Sequence, residues 1–193
     1  DAGDSKTVGV VVPHFANTIF PEIIESIDSF LSSNGYRILL CCSYNNSLKE
    51  FRDISALLER KVDGIIWSPV MLENSRCMVN MIRRQHCPLV FVDRMLEEVG
   101  ADAVVVNDRE SMFTLAEHLL RQGCRRVAYL NSRTVSYVSR ERLAGYRDAL
   151  EKASVPYDDS LVLNVGSVVA ARRSGIAPLL DLPDPPDAVA CFN

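Results

Sequence analysis

Three histidines, six cysteines and nine glycines are the residues of this 193-residue chain whose chemistry depends most on spacing. His14, His86 and His118 stand far apart and lack the short intervals at which ligands share one metal, so no zinc or other metal site is predicted. The cysteines at 41, 42, 77, 87, 124 and 191 form no Cys-x-x-Cys pair, and a chain this long needs no disulfide framework. Adjacent Cys41 and Cys42 lie in an apolar run and point to opposite faces of a strand. They read as small buried hydrophobes in a reducing cytoplasm. No Gly-x-Gly-x-x-Gly follows a strand, no glycine-rich loop ends in Lys-Ser or Lys-Thr, and no Gly-x-Ser-x-Gly occurs. The first candidate strand leads into Pro13-His14-Phe15-Ala16-Asn17-Thr18, which has no glycine to let a pyrophosphate approach the backbone. No Ser–His–Asp arrangement presents itself. The reading is of a protein that is not an enzyme and takes no cofactor.

The elements that must position any site follow from apolar periodicity. Short apolar runs are expected as strands at Thr7–Val12, Arg37–Cys42, Gly64–Trp67, Leu89–Val92, Ala103–Val106, Val127–Leu130, Leu161–Val165 and Ala188–Phe192. Between them, 3.6-residue periodicity predicts helices over Pro21–Asn34, Leu48–Arg60, Leu72–His86, Asp108–Gln122, Arg140–Ala153 and Val169–Leu180. Asn34-Gly35 and Gly123 are stop signals, and Pro183, Pro185 and Pro186 break the last helix. Strands that are apolar throughout and separated by helices form a parallel sheet covered on both faces, wound doubly by right-handed crossovers. Ligands of such sheets sit at the carboxyl ends of the strands. The strand–helix pattern recurs before and after about Asn107, which predicts two lobes, 7–107 and 108–193, with 1–6 as the end of a linker.

Charge and hydropathy remove further classes. The formal net charge of −4 gives no basic field for nucleic acid. No apolar run reaches the roughly 18–20 residues that span a bilayer, and Asp1–Lys6 lacks the charged-then-apolar order of a signal peptide.

Six blocks in order resemble the LacI/GalR family of transcriptional regulators. Val8-Gly9-Val10-Val11-Val12-Pro13, with Asn17 and Phe20, is similar to the family's opening strand and loop. Leu58-Glu59-Arg60-Lys61-Val62-Asp63-Gly64-Ile65-Ile66 and Pro88-Leu89-Val90-Phe91-Val92-Asp93-Arg94 follow. Then come His118-Leu119-Leu120 with Gly123, Arg142-Leu143-Ala144-Gly145-Tyr146 with Ala149-Leu150, and Pro186-Asp187-Ala188-Val189-Ala190-Cys191-Phe192-Asn193. The loop after the first strand departs from the family, with His14-Phe15-Ala16 in place of Asp-Ile-Ser.

The resemblance implies two doubly wound parallel-sheet lobes of the type I periplasmic-binding-protein kind, the second incomplete because only three strands follow Asn107. It implies a small metabolite, such as a sugar, bound between the lobes of a cytoplasmic homodimer. Operator DNA would be read by a helix-turn-helix headpiece outside this chain; inducer and co-repressor behaviour both occur in the family. The alternative of the same fold is an exported sugar-binding protein of a transport system. Recognition of adjacent hydroxyls needs fork donors, carboxylate acceptors and an apolar face for the ring. Arg142, at the expected start of a helix, supplies the fork; its other reading is an ion pair with Glu141 or another acid. Asp93 and Asn193 end strands and supply acceptors, while His14, Phe15 and Phe20 come from the first loop. Asn107 lies at the lobe junction, where Asp108 is equally a helix cap, and Tyr146 follows Arg142 by one helical turn, as contact or as packing.

Overall fold

The computed structural model describes residues 5–15, 19–70, 75–133, 136–165 and 176–192. The chain divides into two compact units, Asp1–Val105 and Val106–Asn193. In unit 1 the elements alternate as β1 (Thr7–Val12), α1 (Ile19–Ser33), β2 (Arg37–Cys42), α2 (Ser47–Glu59), β3 (Gly64–Trp67), α3 (Ser75–Arg84), β4 (Leu89–Val92), a 3-10 turn (Glu97–Val99) and β5 (Asp102–Val104). The five strands pair in the order β2-β1-β3-β4-β5, every neighbour parallel. Strand order reverses at β1, so the sheet is doubly wound and its switch point lies between β1 and β3.

The two-residue alternation of β1 explains why both faces need cover. Val11 faces a core of Ile54, Leu57 and Leu58 from α2 and Met78, Val79 and Ile82 from α3, with Ile65, Trp67 and Phe91 from the neighbouring strands. Val10 and Val12 face the other way, against Phe20 of α1. Two local signals set the helices. The Asn46 side chain accepts the Lys49 N–H at 2.9 Å to start α2. Gly35, in the left-handed region at φ +77°, ends α1.

Unit 2 contains α4 (Asp108–Arg121), β6 (Val127–Ser132), α5 (Tyr137–Lys152), a 3-10 turn (Asp159–Leu161), β7 (Val162–Val165), α6 (Ala177–Leu180) and β8 (Ala188–Cys191). Its strands pair in parallel in the order β7-β6-β8. Helices α4 and α5 share one face through Met112, Ala116, Tyr146, Ala149 and Leu150, packed on Val127, Tyr129 and Ala190. Leu179 covers Ala128 and Leu130 on the other.

The main departure from the sequence reading is the start of α5. It begins at Tyr137, three residues before the expected Arg140, because Ser136 and Ser139 form a reciprocal capping box. Arg142 is therefore not at a helix start but in the second turn of α5. Strand β5 is one residue earlier and shorter than Ala103–Val106. The expected helix Val169–Leu180 falls largely outside the described residues; within them only Ala177–Leu180 is helical.

Candidate functional site

Unit 1 carries His14, Phe15, Phe20 and Asp93 of the candidate groups, near the carboxyl ends of its strands. His14 follows β1, half-buried, its ring edge-on to Phe20 at 5.7 Å and 86°. Burial first, and then the charge of Arg94, hold the His14 imidazole below its ordinary 6.5. Phe15, the next residue, is 44 % exposed, an aromatic face at the rim. Asp93 follows β4 in the left-handed region at φ +63° and donates its N–H to the Val104 carbonyl at 3.0 Å. Asp is among the few side chains that tolerate that backbone, and the turn places its carboxylate 3.6 Å from Arg94 Nε.

Unit 1 also holds a group that sequence reasoning missed. Glu50, in the first turn of α2, is completely buried. Its Oε1 accepts from Trp67 Nε1 at 2.8 Å and from the Val70 N–H at 3.0 Å. Desolvation pushes its carboxyl up to about 7, against the opposing effects of those two donors and of Arg94. Arg94 itself donates from Nη1 to Asn45 Oδ1 at 3.3 Å. The overlooked signal was positional: Glu50 precedes Ile54 by four residues and Leu57 by seven, placing a carboxylate on the buried stripe of α2.

In unit 2 the central group is Arg142. Its Nε donates to Asp108 Oδ1 at 2.7 Å and its Nη1 donates to the Phe192 carbonyl. The guanidinium carbon lies 4.8 Å from the centroid of the Phe192 ring. Phe192 directly follows β8, so the guanidinium stands at the carboxyl end of this sheet, with 25 % of its side chain exposed. Asp108, at 3 % exposure, is the acid that holds it, rather than Glu141. Two fixed edges and a stacked face leave the guanidinium plane little freedom to turn.

Other sequence-predicted residues stand elsewhere. Tyr146 is fully buried, stacked on Tyr129 at 5.2 Å with its hydroxyl donating to the Val127 carbonyl at 2.7 Å. Burial pushes that hydroxyl up to about 12. It is core, because the turn of α5 that follows Arg142 faces the sheet. Phe20, 1 % exposed, likewise packs on Val10 and Val12 and supports His14 from beneath instead of presenting a surface. Asn107 is exposed and caps α4, accepting the Glu110 N–H at 3.2 Å and donating to Glu110 Oε2 at 3.2 Å. Asn193 lies outside the described residues. Cys42 is buried and Cys41 half-buried, the latter's thiol pushed up by desolvation, while Cys77 and Cys191 are exposed.

Comparison with known proteins bears on the fold and the family. A relative from Vibrio atlanticus (strain LGP32), "HTH-type transcriptional repressor PurR", is 27 % identical over 98 % of this chain and 56 % of its own length. "HTH-type transcriptional regulator DegA" of Bacillus subtilis (strain 168) has the same identity and the same two coverages. The chain thus spans a little over half the length of these curated relatives. Among solved structures, transcription regulator GntR from Chromobacterium violaceum superposes with a TM-score of 0.81 at 26 % identity, covering 96 % of this chain and 67 % of that one. These relatives are named as regulators of transcription, not as enzymes. The profile described as "Periplasmic binding proteins and sugar binding domain of LacI family" matches residues 5–193, and the chain belongs to that family.

Proposed function

We propose that this chain is the effector-binding part of a ligand-responsive transcriptional regulator that acts as a repressor and takes a small polar metabolite, such as a sugar. The observation that carries the reading is Arg142: a partly exposed guanidinium at the strand ends of unit 2, oriented by the buried Asp108 carboxylate and the Phe192 carbonyl. A cation held this way is ready to donate to ligand oxygens without losing further side-chain entropy. Asp93, His14 and Phe15 supply an acceptor, an imidazole and an apolar face at the strand ends of unit 1. The sugar class is supported by the family description and by this mixture of fork donor, carboxylate and aromatic face.

DNA reading in this proposal belongs to a helix-turn-helix segment of the regulator outside these 193 residues, in keeping with the relatives' names. The net charge of −4 supports placing it there. Homodimerisation is supported by apolar side chains that unit 1 exposes, Phe30 on α1, Leu40 on the edge strand β2, and Leu48 and Phe51 on α2. A cytoplasmic location goes with a DNA-binding partner segment. No helix among the described residues is long and apolar enough to cross a membrane. The alternative of an exported sugar-binding protein is not favoured, because the relatives are regulators.

The test is a thermal-shift screen of the intact regulator against sugars, sugar phosphates and nucleobases, followed by calorimetry on Arg142→Lys. Lysine keeps a cation beside Asp108 but loses the planar fork. Loss of charge-assisted hydrogen bonds worth on the order of 1.5–3 kcal/mol weakens binding roughly 10–150-fold. Unchanged affinity in a variant of unchanged stability refutes Arg142 as the anchor.

A further inference from the structure

Strand β6, the middle strand of unit 2, runs Val-Ala-Tyr-Leu-Asn-Ser over Val127–Ser132. Asparagine suits such a strand poorly, yet Asn131 is built into it at only 7 % exposure. Alternation puts Asn131 on the face of Val127 and Tyr129, the face that α4 and α5 cover. It stands at the carboxyl end of the sheet, where Leu130 pairs with Cys191 and the Phe192 N–H donates to the Leu130 carbonyl at 2.9 Å. Asn131 is therefore in line with Phe192, the residue whose carbonyl and ring hold Arg142.

The orientation of the Asn131 amide follows from what donates to it. The Ser132 backbone N–H lies 2.9 Å from Oδ1 and can only donate, so the atom facing it is the oxygen. The Tyr129 hydroxyl reaches the same Oδ1 at 3.4 Å. Burial pushes that hydroxyl up and keeps it protonated, and the charges of Arg142 and Asp108 act on it next. With Oδ1 taken, Nδ2 presents two N–H donors. Among the described residues it finds no acceptor, not even Asn164, its register partner in β7. Buried polar groups are normally paired. Among the described residues, the unpaired side-chain polar atoms sealed from solvent all belong to unit 1, so Asn131 Nδ2 keeps an opening to the surface.

We propose that Asn131 is a further effector-binding residue, whose Nδ2 donates to an effector oxygen next to the one held by Arg142. This rests on the reading of Arg142 as the anchor. The chemistry narrows what the effector brings to unit 2. Arg142 and Asn131 Nδ2 can only donate, and Asn131 Oδ1 is occupied, so the group received is a hydroxyl, carbonyl or phosphate oxygen and not an ammonium. Asp108 already offsets the guanidinium charge, and the amide adds a directed donor without further charge. Ser132 and Tyr129 preset its plane, so little rotamer freedom is lost on binding.

Nuclear magnetic resonance on the intact regulator follows two signals. The Asn131 side-chain amide pair is assigned by its loss in Asn131→Ser, and the Arg142 Nε–H by its loss in Arg142→Lys. D-ribose, D-glucose and inorganic phosphate are the probes. A probe that moves the Arg142 signal is expected to move the Asn131 pair over the same concentration range. If Arg142 moves and the Asn131 pair stays fixed, the proposal is overturned while the anchor reading stands. If no probe moves Arg142, the anchor reading fails and takes the proposal with it. Asn131→Asp separates contact from support, because its carboxylate still accepts from Ser132 and Tyr129 but replaces the free donor with a second acceptor. Calorimetry at about pH 8, where the new carboxyl is ionised, is expected to show the shifting probe bound roughly tenfold or more weakly. Unchanged affinity means that Asn131 only braces the strand end, and overturns the proposal. If Asn131→Asp fails to fold, the paired shifts in the parent protein decide alone.

Discussion

Gly145→Ala makes the sharpest test of the packing that orients Arg142, because two known effects oppose each other there. Gly145 sits inside α5, where alanine is intrinsically favoured by roughly 1 kcal/mol. A β-carbon at Gly145, however, would lie 2.0 Å from the Arg109 carbonyl oxygen, 2.9 Å from the Arg109 carbonyl carbon and 3.0 Å from the Phe113 nitrogen. All three are backbone atoms of α4, so no side chain can rotate away. Restoring ordinary contact requires the helices to separate by roughly 1 Å or more at Arg109. The ion pairs bridging α4 and α5 are short: Arg142–Asp108 at 2.7 Å and Arg109–Asp148 at 2.6 Å. Separation on that scale takes the buried Asp108 pair beyond good hydrogen-bonding range.

The magnitudes decide the sign. Overpacking against rigid backbone costs about 3 kcal/mol, and weakening the Asp108–Arg142 hydrogen bond adds about 1 kcal/mol. Against these stands the roughly 1 kcal/mol of helix propensity, leaving a net loss of about 3 kcal/mol. For a chain of this size that lowers the melting temperature by roughly 6–12 °C. Circular dichroism melts and urea titrations of the intact protein measure it, and effector affinity is expected to fall along with stability as Arg142 loses its orientation. If Gly145→Ala is as stable as the parent or more so, propensity has prevailed, and the close approach of α5 to α4 described above is wrong.

Three further outcomes follow from the same geometry. Tyr146→Phe strips the Val127 carbonyl of its donor in a fully buried setting, so stability drops by about 1–3 kcal/mol in urea titrations while effector affinity stays unchanged. Arg142→Ala leaves the Asp108 carboxylate buried without its cation and destabilises by about 3–5 kcal/mol in the same assay, whereas Asp108→Asn with Arg142 intact costs less. The Glu50 carboxyl, raised in the fold from 4.5 to about 7, binds its proton more tightly folded than unfolded. Its contribution is fully present below pH 4.5, declines as pH rises and is gone above about 7, a fall of roughly 3 kcal/mol; urea midpoints of Glu50→Gln should lose this component.

What could be read from residue order depended on the range of the interaction. The strands were legible because Thr7–Val12 and Gly64–Trp67 are apolar on both faces, a pattern that only a covered parallel sheet satisfies. The observed order β2-β1-β3 is the winding this predicts. Arg142 was legible as a group of interest, but its partner was not, since Asp108 lies 34 residues away and reads equally well as a helix cap. The start of α5 was misplaced for a related reason. Serine is a weak helix former in isolation, and the value of Ser136 and Ser139 lies in bonding each other's backbone. Tyr146 shows the limit from the other side. A tyrosine one turn from a binding arginine faces wherever the helix is rolled, and that roll is set by the glycine immediately before it. Gly145 lets the Arg109 carbonyl press against α5. With α5 held at that distance from α4, Tyr146 is directed into Tyr129 and Val127, and Arg142, just over one turn earlier, is left at the edge where Asp108 and Phe192 can grip it. The division between core and site along α5 is thus decided by a residue with no side chain. The quoted run Arg142-Leu143-Ala144-Gly145-Tyr146 accordingly makes physical sense as one unit: the cation, the close-contact glycine and the buried ring each require the other two in place.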